Sequence, residues 1–373
     1  MNDMATALDS NFYAIIPAGG VGSRLWPLSR ADEPKFLHDL AGTGNSLLVD
    51  TWNRLTPIAG NNIVVVCGVA HKATVTEELP QLNAVDLILE PSPKDSTAAI
   101  ALAAAVLVRR NPDAIIGSFA ADHVIADDRR FGNAVREAIA TALAGYIVTI
   151  GIRPTEPSTA FGYIETGAAL AIDGAPHARS VSKFVEKPKL DVAIDYVDGD
   201  RHLWNAGMFI ARASVLLDEL RTHRPDVAEP VEAIADAWDS PERDETVARL
   251  WPTIPKVAID YAIAEPAAEA GKLAVIPGEF HWDDIGDFAA LARLHNHGRA
   301  NVLVTLGENT RVLNEGASGL VVSQTSRLIS VVGVKDIVIV DTPDALLVTN
   351  STNAQRVKSI VESIRAMGAD DVL

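Results

Sequence analysis

Short apolar runs at residues 12–16, 63–67, 85–89, 114–119 and 146–150 are separated by amphipathic or Ala-rich stretches long enough to be helices. That alternation leaves few folds open. Brief β-rich runs bounded by turns read as strands, and helical connections between them predict an α/β fold with a mostly parallel sheet covered on both faces. In such sheets ligands bind beyond the carboxyl ends of the strands. Two segments fall there: the glycine-rich turn after 12–16, and Asp122 just after 114–119.

The turn reads PAGGVGSRLWPLSRADEPK over residues 17–35. Gly19, Gly20 and Gly22 are free to adopt positive φ and let backbone N–H groups approach an anion, while Arg24 offers a planar fork and Lys35 a point charge. This suits a phosphate cradle. It is not the dinucleotide fingerprint, because Leu25 stands where G-x-G-x-x-G needs glycine, and it lacks the Gly-Lys-Ser/Thr of the P-loop. A tight turn with solvated cations is the plainer alternative; the phosphate reading predicts a nucleoside triphosphate.

From about residue 296 the texture changes to short strands with Gly, Asn or Asp turns and no long helix between them. A closing helix over roughly 352–367 places Ala354, Val357, Ile360, Val361 and Ile364 on one face. The expected division is a flexible tail at 1–11, a catalytic domain at 12–295 and a C-terminal β-rich domain with its terminal helix at 296–373. Residues 222–256 read as a helical insertion and carry no usable motif. No internal repeat redefines the fold.

Composition bounds the partners. Lys and Arg number 32 against 49 Asp and Glu, a net charge of −17 that repels nucleic acid and anionic membranes. An anionic substrate therefore needs a locally basic pocket, for which Arg24, Arg30, Lys35, Lys183 and Lys187 are available. The longest strongly apolar run, 98–108, is too short to span a bilayer, and residues 1–11 lack the parts of a secretory signal. A soluble, cytoplasmic protein is expected. The only cysteine, Cys67, sits in an apolar run and reads as a buried structural thiol.

The glycine turn is followed by ADH at 121–123, GIRPTEPSTAFGYIE at 151–165, FVEKP at 184–188, WNAGMF at 204–209, IDYAIAE at 259–265 and WDDIGDF at 282–288. In this order the blocks resemble the sugar-1-phosphate nucleotidyltransferases, and within them the mannose-1-phosphate guanylyltransferases. The resemblance implies a Rossmann-like nucleotidyltransferase domain with a mixed, mostly parallel sheet, plus a small left-handed β-helix-like domain that takes part in forming a homodimer. It implies GTP and mannose 1-phosphate as substrates, GDP-mannose and pyrophosphate as products, and Mg²⁺ or another divalent cation as cofactor. Some family members carry a fused isomerase domain, for which 373 residues leave no room; a single activity is expected. The same chemistry on another base or sugar, and a silent nucleotide-sugar-sensing subunit, are the alternatives.

In that reaction a sugar-phosphate oxygen attacks the α-phosphorus of the nucleotide, so no protein nucleophile is required. Catalysis reduces to aligning two polyanions and neutralising charge. Arg24 and Lys35 are the expected catalytic cations, and Ala18, Gly19, Gly20, Gly22 and Ser23 the phosphate-side nucleotide contacts. Asp122 and Asp284 suit Mg²⁺, which takes one or two carboxylates plus phosphate and water; the family pattern W-x-D-x-G favours Asp284 over Asp283. His123 and His281 are assigned no proton transfer, since the attacking phosphate needs no deprotonation at neutral pH. In EKP, Glu186 is expected to accept from sugar hydroxyls while Lys187 meets the phosphate, with Asn205 and the small Gly162 completing the sugar site. Trp204 reads as core. The base-contact region is 90–97, with Glu90, Asp95 and Ser96 as candidates and Asp95 leading; many relatives have Arg-Asn-Thr near 94, 95 and 97, a departure that bears on base recognition.

Overall fold

The computed structural model describes residues 11–296, 298–299, 301–308 and 310–373. The expected tail at 1–11 thus lies, except for Asn11, outside the described residues. The described residues divide into two compact units: one comprises those within 11–19, 51–121 and 125–282, the other those within 20–50, 122–124 and 283–373. A cut at 295/296 is therefore not where the packing draws the line, because two earlier segments pack with the C-terminal β-rich region.

The strands of the chain up to residue 283 are β1 (Phe12–Ala18), β2 (Ile63–Gly68), β3 (Leu87–Glu90), β4 (Ile115–Ser118), β5 (Val124–Ala126), β6 (Ile147–Ile152), β7 (Tyr163–Ala169), β8 (Arg179–Val185), β9 (His202–Arg212), β10 (Leu273–Gly278) and β11 (His281–Asp283). The first unit is built on a nine-stranded sheet in the order β3-β2-β1-β4-β9-β6-β10-β8-β7. Its first four strands are parallel, as helical crossovers require. Next, β9 enters antiparallel to both β4 and β6, and only β6–β10 is parallel beyond it. The sheet is mixed.

Burial follows the two-faced covering. Strands β2 and β6 are apolar and buried almost throughout, consistent with helices on both faces. The helix Asp95–Arg110 buries every residue from Thr97 to Leu107, and its run of alanines leaves room for close approach by the helices Ala213–His223 and Pro225–Asp236. Cys67 is sealed inside β2, where burial and then the Glu90 charge push its thiol up to about 12, so it is inert at neutral pH.

In the second unit the strands are β12 (Leu303–Leu306), β13 (Arg311–Glu315), β14 (Gly319–Ser323), β15 (Leu328–Val332), β16 (Ile337–Asp341) and β17 (Leu346–Asn350). Successive strands alternate between two sheets: β12, β14 and β16 pair in parallel in one, with β17 antiparallel at its edge, while β13 and β15 pair in parallel in the other. That is β-helix-like stacking, each turn of chain laid on the one before. At Gly319 (φ 128°) a Cβ would stand 2.0 Å from the Ile337 carbonyl oxygen of the next rung, so only glycine fits. The closing helix Val357–Ala366 buries Val357 and Val361 in one cluster with Leu25, Trp26, Phe288 and Val340. Ile360, expected on that face, is 46% exposed because it points off the 354–357–361–364 stripe.

Candidate active-site clusters

Ala18 ends β1, buried, and the chain leaves the sheet as the glycine turn. Of the three glycines only Gly22 adopts positive φ, at 74°, where it caps the 3₁₀ turn Ser23–Leu25; a Cβ there would come within 2.7 Å of Lys35 Cβ. Gly19 and Gly20 do not need the left-handed region. Their value is openness, since a Cβ on Gly20 would meet nothing within 4 Å. Ser29 Oγ donates to the Gly22 carbonyl at 2.6 Å, and Leu25 N donates to the same oxygen at 2.8 Å, which holds the turn shut.

Within the second unit the two predicted cations part company. Arg24 is half-buried and, among the described residues, has no hydrogen-bond or ion-pair partner. Lys35 is instead 5% exposed and already paired: its Nζ lies 2.8 Å from Asp122 Oδ2 and also donates to the Asp284 carbonyl. Arg30, counted above as a possible pocket cation, is likewise engaged, its guanidinium bidentate on Asp344 at 2.7 and 2.6 Å.

Asp122 and Asp284 are thereby brought to one ammonium, although 162 positions separate them in the chain (284 − 122). Burial would raise the Asp122 carboxyl, but Lys35 and His123 outweigh it and hold it below the usual carboxylate range. For Asp284 burial wins, reinforced by the charges of Asp283 and Asp122, and its carboxyl is raised. Asp283 Oδ1 accepts from Ile285 N at 2.7 Å and so builds the turn. Asp284 stands over Gly286, where a Cβ would come within 3.3 Å of either carboxylate oxygen. Of the two neighbours, Asp283 is thus engaged by the backbone of its own turn.

Within the first unit a second cluster forms around the end of β8. The Glu186 side chain is 5% exposed and accepts from Lys187 Nζ. Lys187 itself takes φ 48°, an uncommon conformation for a long side chain. A Cβ at Gly162 would lie 2.4 Å from Glu186 Oε2, so a larger residue there would displace that carboxylate. Asn205 is buried on β9, its Oδ1 accepting from Thr149 Oγ1 at 2.7 Å and from Gly207 N at 3.1 Å, while its Nδ2 donates to Asp260 Oδ1 at 2.7 Å. Asp260 is the residue sequence reasoning missed. Its block was recognised, but nothing in its spacing marks the carboxylate as belonging with EKP.

The base-contact candidates also sort themselves. Asp95 takes φ 70° and turns its Oδ1 onto Ser96 N at 2.9 Å, while Ser96 Oγ accepts from Ile259 N at 2.9 Å. Lys94 is tied to the carbonyls of Pro252 and Ile254. One oxygen of the exposed Asp95 carboxylate is thus engaged locally. Glu90, at the end of β3, is 5% exposed, its Oε1 has no partner, and its Oε2 lies 3.6 Å from where a Cβ on Gly19 would be. Burial, then the Asp95 charge, push its carboxyl up to about 7.

Comparison with known proteins gives the following. A family model described as nucleotidyl transferase matches residues 13–301, and one described as a MannoseP isomerase/GMP-like beta-helix domain matches residues 311–364. The chain is 40% identical over 96% of its length to a mannose-1-phosphate guanylyltransferase of Escherichia coli, covering 74% of that protein. It is 37% identical over 97% of its length to the xanthan biosynthesis protein XanB of Xanthomonas campestris, covering 75% of that protein. A solved structure from Thermus thermophilus, described as a mannose-1-phosphate geranyltransferase, is 28% identical and superposes with a TM-score of 0.83 over 95% of this chain and 99% of that one.

Proposed function

This chain belongs to the nucleotidyl transferase family, and we propose that it transfers GMP from GTP to α-D-mannose 1-phosphate, releasing pyrophosphate and GDP-mannose. The activity is the one named for the Escherichia coli relative. The observation that carries the chemistry is the ammonium of Lys35 shared by Asp122 and Asp284, beside a chain segment that holds Arg24 uncommitted.

The attacking phosphate oxygen is already anionic, so the protein has only to bind, align and neutralise. Arg24 meets the triphosphate with its planar fork, and the N–H groups of Gly19 to Ser23 line the phosphates. Lys35 acts chiefly through Asp122 and Asp284, holding the carboxylate of the first and the main chain of the second. Those carboxylates suit Mg²⁺, being two hard oxygen donors, and burial chiefly raises the Asp284 carboxyl. Among the described residues no group of three or more His, Cys, Asp or Glu side chains converges for a metal, so Asp122 and Asp284 would share the ion with phosphate and water. When bound, the cation supplies charge neutralisation at the phosphoryl oxygens.

Glu186 and Lys187 take the sugar phosphate, Glu186 at the hydroxyls and Lys187 at the phosphate. Glu90 is better placed than Asp95 to read guanine, whose N1–H and N2–H₂ call for a carboxylate acceptor. We place the reaction in the cytoplasm, where GTP is available; among the described residues no helix is long and apolar enough to cross a membrane. The exposed Leu313, Leu328 and Val332 lie on one face of the β13–β15 pair, which suits burial in a homodimer. Pyrophosphate release that requires GTP and mannose 1-phosphate together tests the reading; release with either substrate alone would argue against it.

A further inference from the structure

The hydrogen bonds of Asn205 leave little of its amide for a ligand. Gly207 N and Thr149 Oγ1 both donate to its Oδ1, which fixes the amide so that Nδ2 faces Asp260. Asn205 therefore holds another group rather than reading sugar with both ends of its amide. The group it holds opens the five-residue π-helical turn Asp260–Ala264, an uncommon geometry that concentrates at functional sites. Asp260 is partly exposed, whereas Ile259 and the residues Ala262 to Ala264 around it are buried.

Charge links this carboxylate to the EKP pair. Burial, and then the charge of Glu186, push the Asp260 carboxyl up to about 6, against the opposing pull of Lys187 and Asn205. The cluster thus holds two carboxylates and one ammonium, with Glu186 Oε1 already on Lys187 and Asp260 Oδ1 on Asn205. Such a set has acceptors in excess. An anionic group is welcome only at Lys187, whereas neutral O–H donors satisfy carboxylate lone pairs without adding charge. A phosphorylated polyol presents both.

We propose that Asp260 accepts a hydrogen bond from a ring hydroxyl of the sugar phosphate, sharing the ring with Glu186, and that Asn205 is its positioning residue. The proposal rests on the assignment of Glu186 and Lys187 to the sugar phosphate.

The test compares wild type, D260N and N205A on mannose 1-phosphate and its 2-, 3-, 4- and 6-deoxy analogues, with GTP saturating. D260N is expected to lower kcat/KM for mannose 1-phosphate about tenfold or more, as loss of a charged acceptor does, and to leave KM for GTP within about twofold. For one deoxy analogue the loss should shrink to within about threefold, and N205A should erase the contribution of that same hydroxyl. Asp260→Ser serves the same comparison if D260N does not fold. An equal loss on every sugar overturns the proposal, since a merely structural Asp260 cannot tell hydroxyls apart. Wild type that ignores mannose 1-phosphate would instead overturn the functional assignment itself.

Discussion

Lys35 Nζ stands 2.8 Å from Asp122 Oδ2 while also donating to the main chain of Asp284. One buried ammonium thus ties the Asp122 carboxylate to the backbone of Asp284, from a distant part of the sequence. Removing it leaves the partly buried Asp122 carboxylate without its counter-ion, a destabilising change. K35M is expected to lower Tm and cut kcat at least 100-fold. The pH dependence follows in sign: the folded Asp122 carboxyl is lowered, so its contribution is present above the unfolded value of about 3.9 and is lost as pH falls through the folded one. Acid unfolding midpoints measured by circular dichroism should therefore move up in K35M.

D284N keeps the shape of the side chain and removes the anion. Folding should be preserved and kcat at saturating Mg²⁺ should fall by several kcal/mol equivalents, each tenfold being about 1.4 kcal/mol. D283A should behave differently, because Asp283 is a turn acceptor for Ile285 N and Ala removes that acceptor. Its loss should appear in Tm more than in kcat. Turnover by D284N within about threefold of wild type would remove Asp284 from the metal site.

Lys187→Ala separates the two substrates. Its ammonium pairs with Glu186 and is half exposed, so the variant should raise KM for mannose 1-phosphate at least tenfold and that for GTP by much less. Equal loss for both, read from initial rates, would reassign it.

Glu90 gives a pH test and a specificity test. Its folded pKa, about 7, exceeds the unfolded value of about 4.3, so stability falls as pH rises across that window and levels off above it. E90Q should flatten this limb in thermal melts between pH 5 and 8. Guanine recognition through this carboxylate predicts that E90Q reduces the GTP over ITP preference about tenfold, since ITP lacks the N2 amine. D95A should change that preference less, its carboxylate being turned onto Ser96 N.

Much of this was legible in the chain. The alternation of apolar runs led to the parallel half of the sheet, and the short C-terminal strands to a β-rich domain, whose β-helix-like form came from the family resemblance and not from the strands, which fit a small sandwich equally. What escaped was whatever depends on partners far away in sequence. The segment 20–50 packs with the C-terminal unit through residues such as Leu25 and Trp26, whose Nε1 donates to the Val372 carbonyl; no local composition announces that. Arg30 and Lys35 looked like free cations because charge is visible in a sequence and its counter-ion is not. Gly19, Gly20 and Gly22 were all free to take positive φ, and of the three only Gly22 does so. Asp260 lay unread inside a recognised block, because a π-helical turn leaves no periodic signature.

The most direct test of the account is a substrate matrix: GTP, ATP, UTP and dTTP, each with mannose 1-phosphate and glucose 1-phosphate, and products identified by mass spectrometry. Base-edge pairs worth ~1–3 kcal/mol each predict that kcat/KM for GTP with mannose 1-phosphate exceeds every other combination by roughly 100-fold or more, with GDP-mannose and pyrophosphate formed in equal amounts. Comparable kcat/KM for UTP or dTTP with glucose 1-phosphate would contradict the guanylyl assignment.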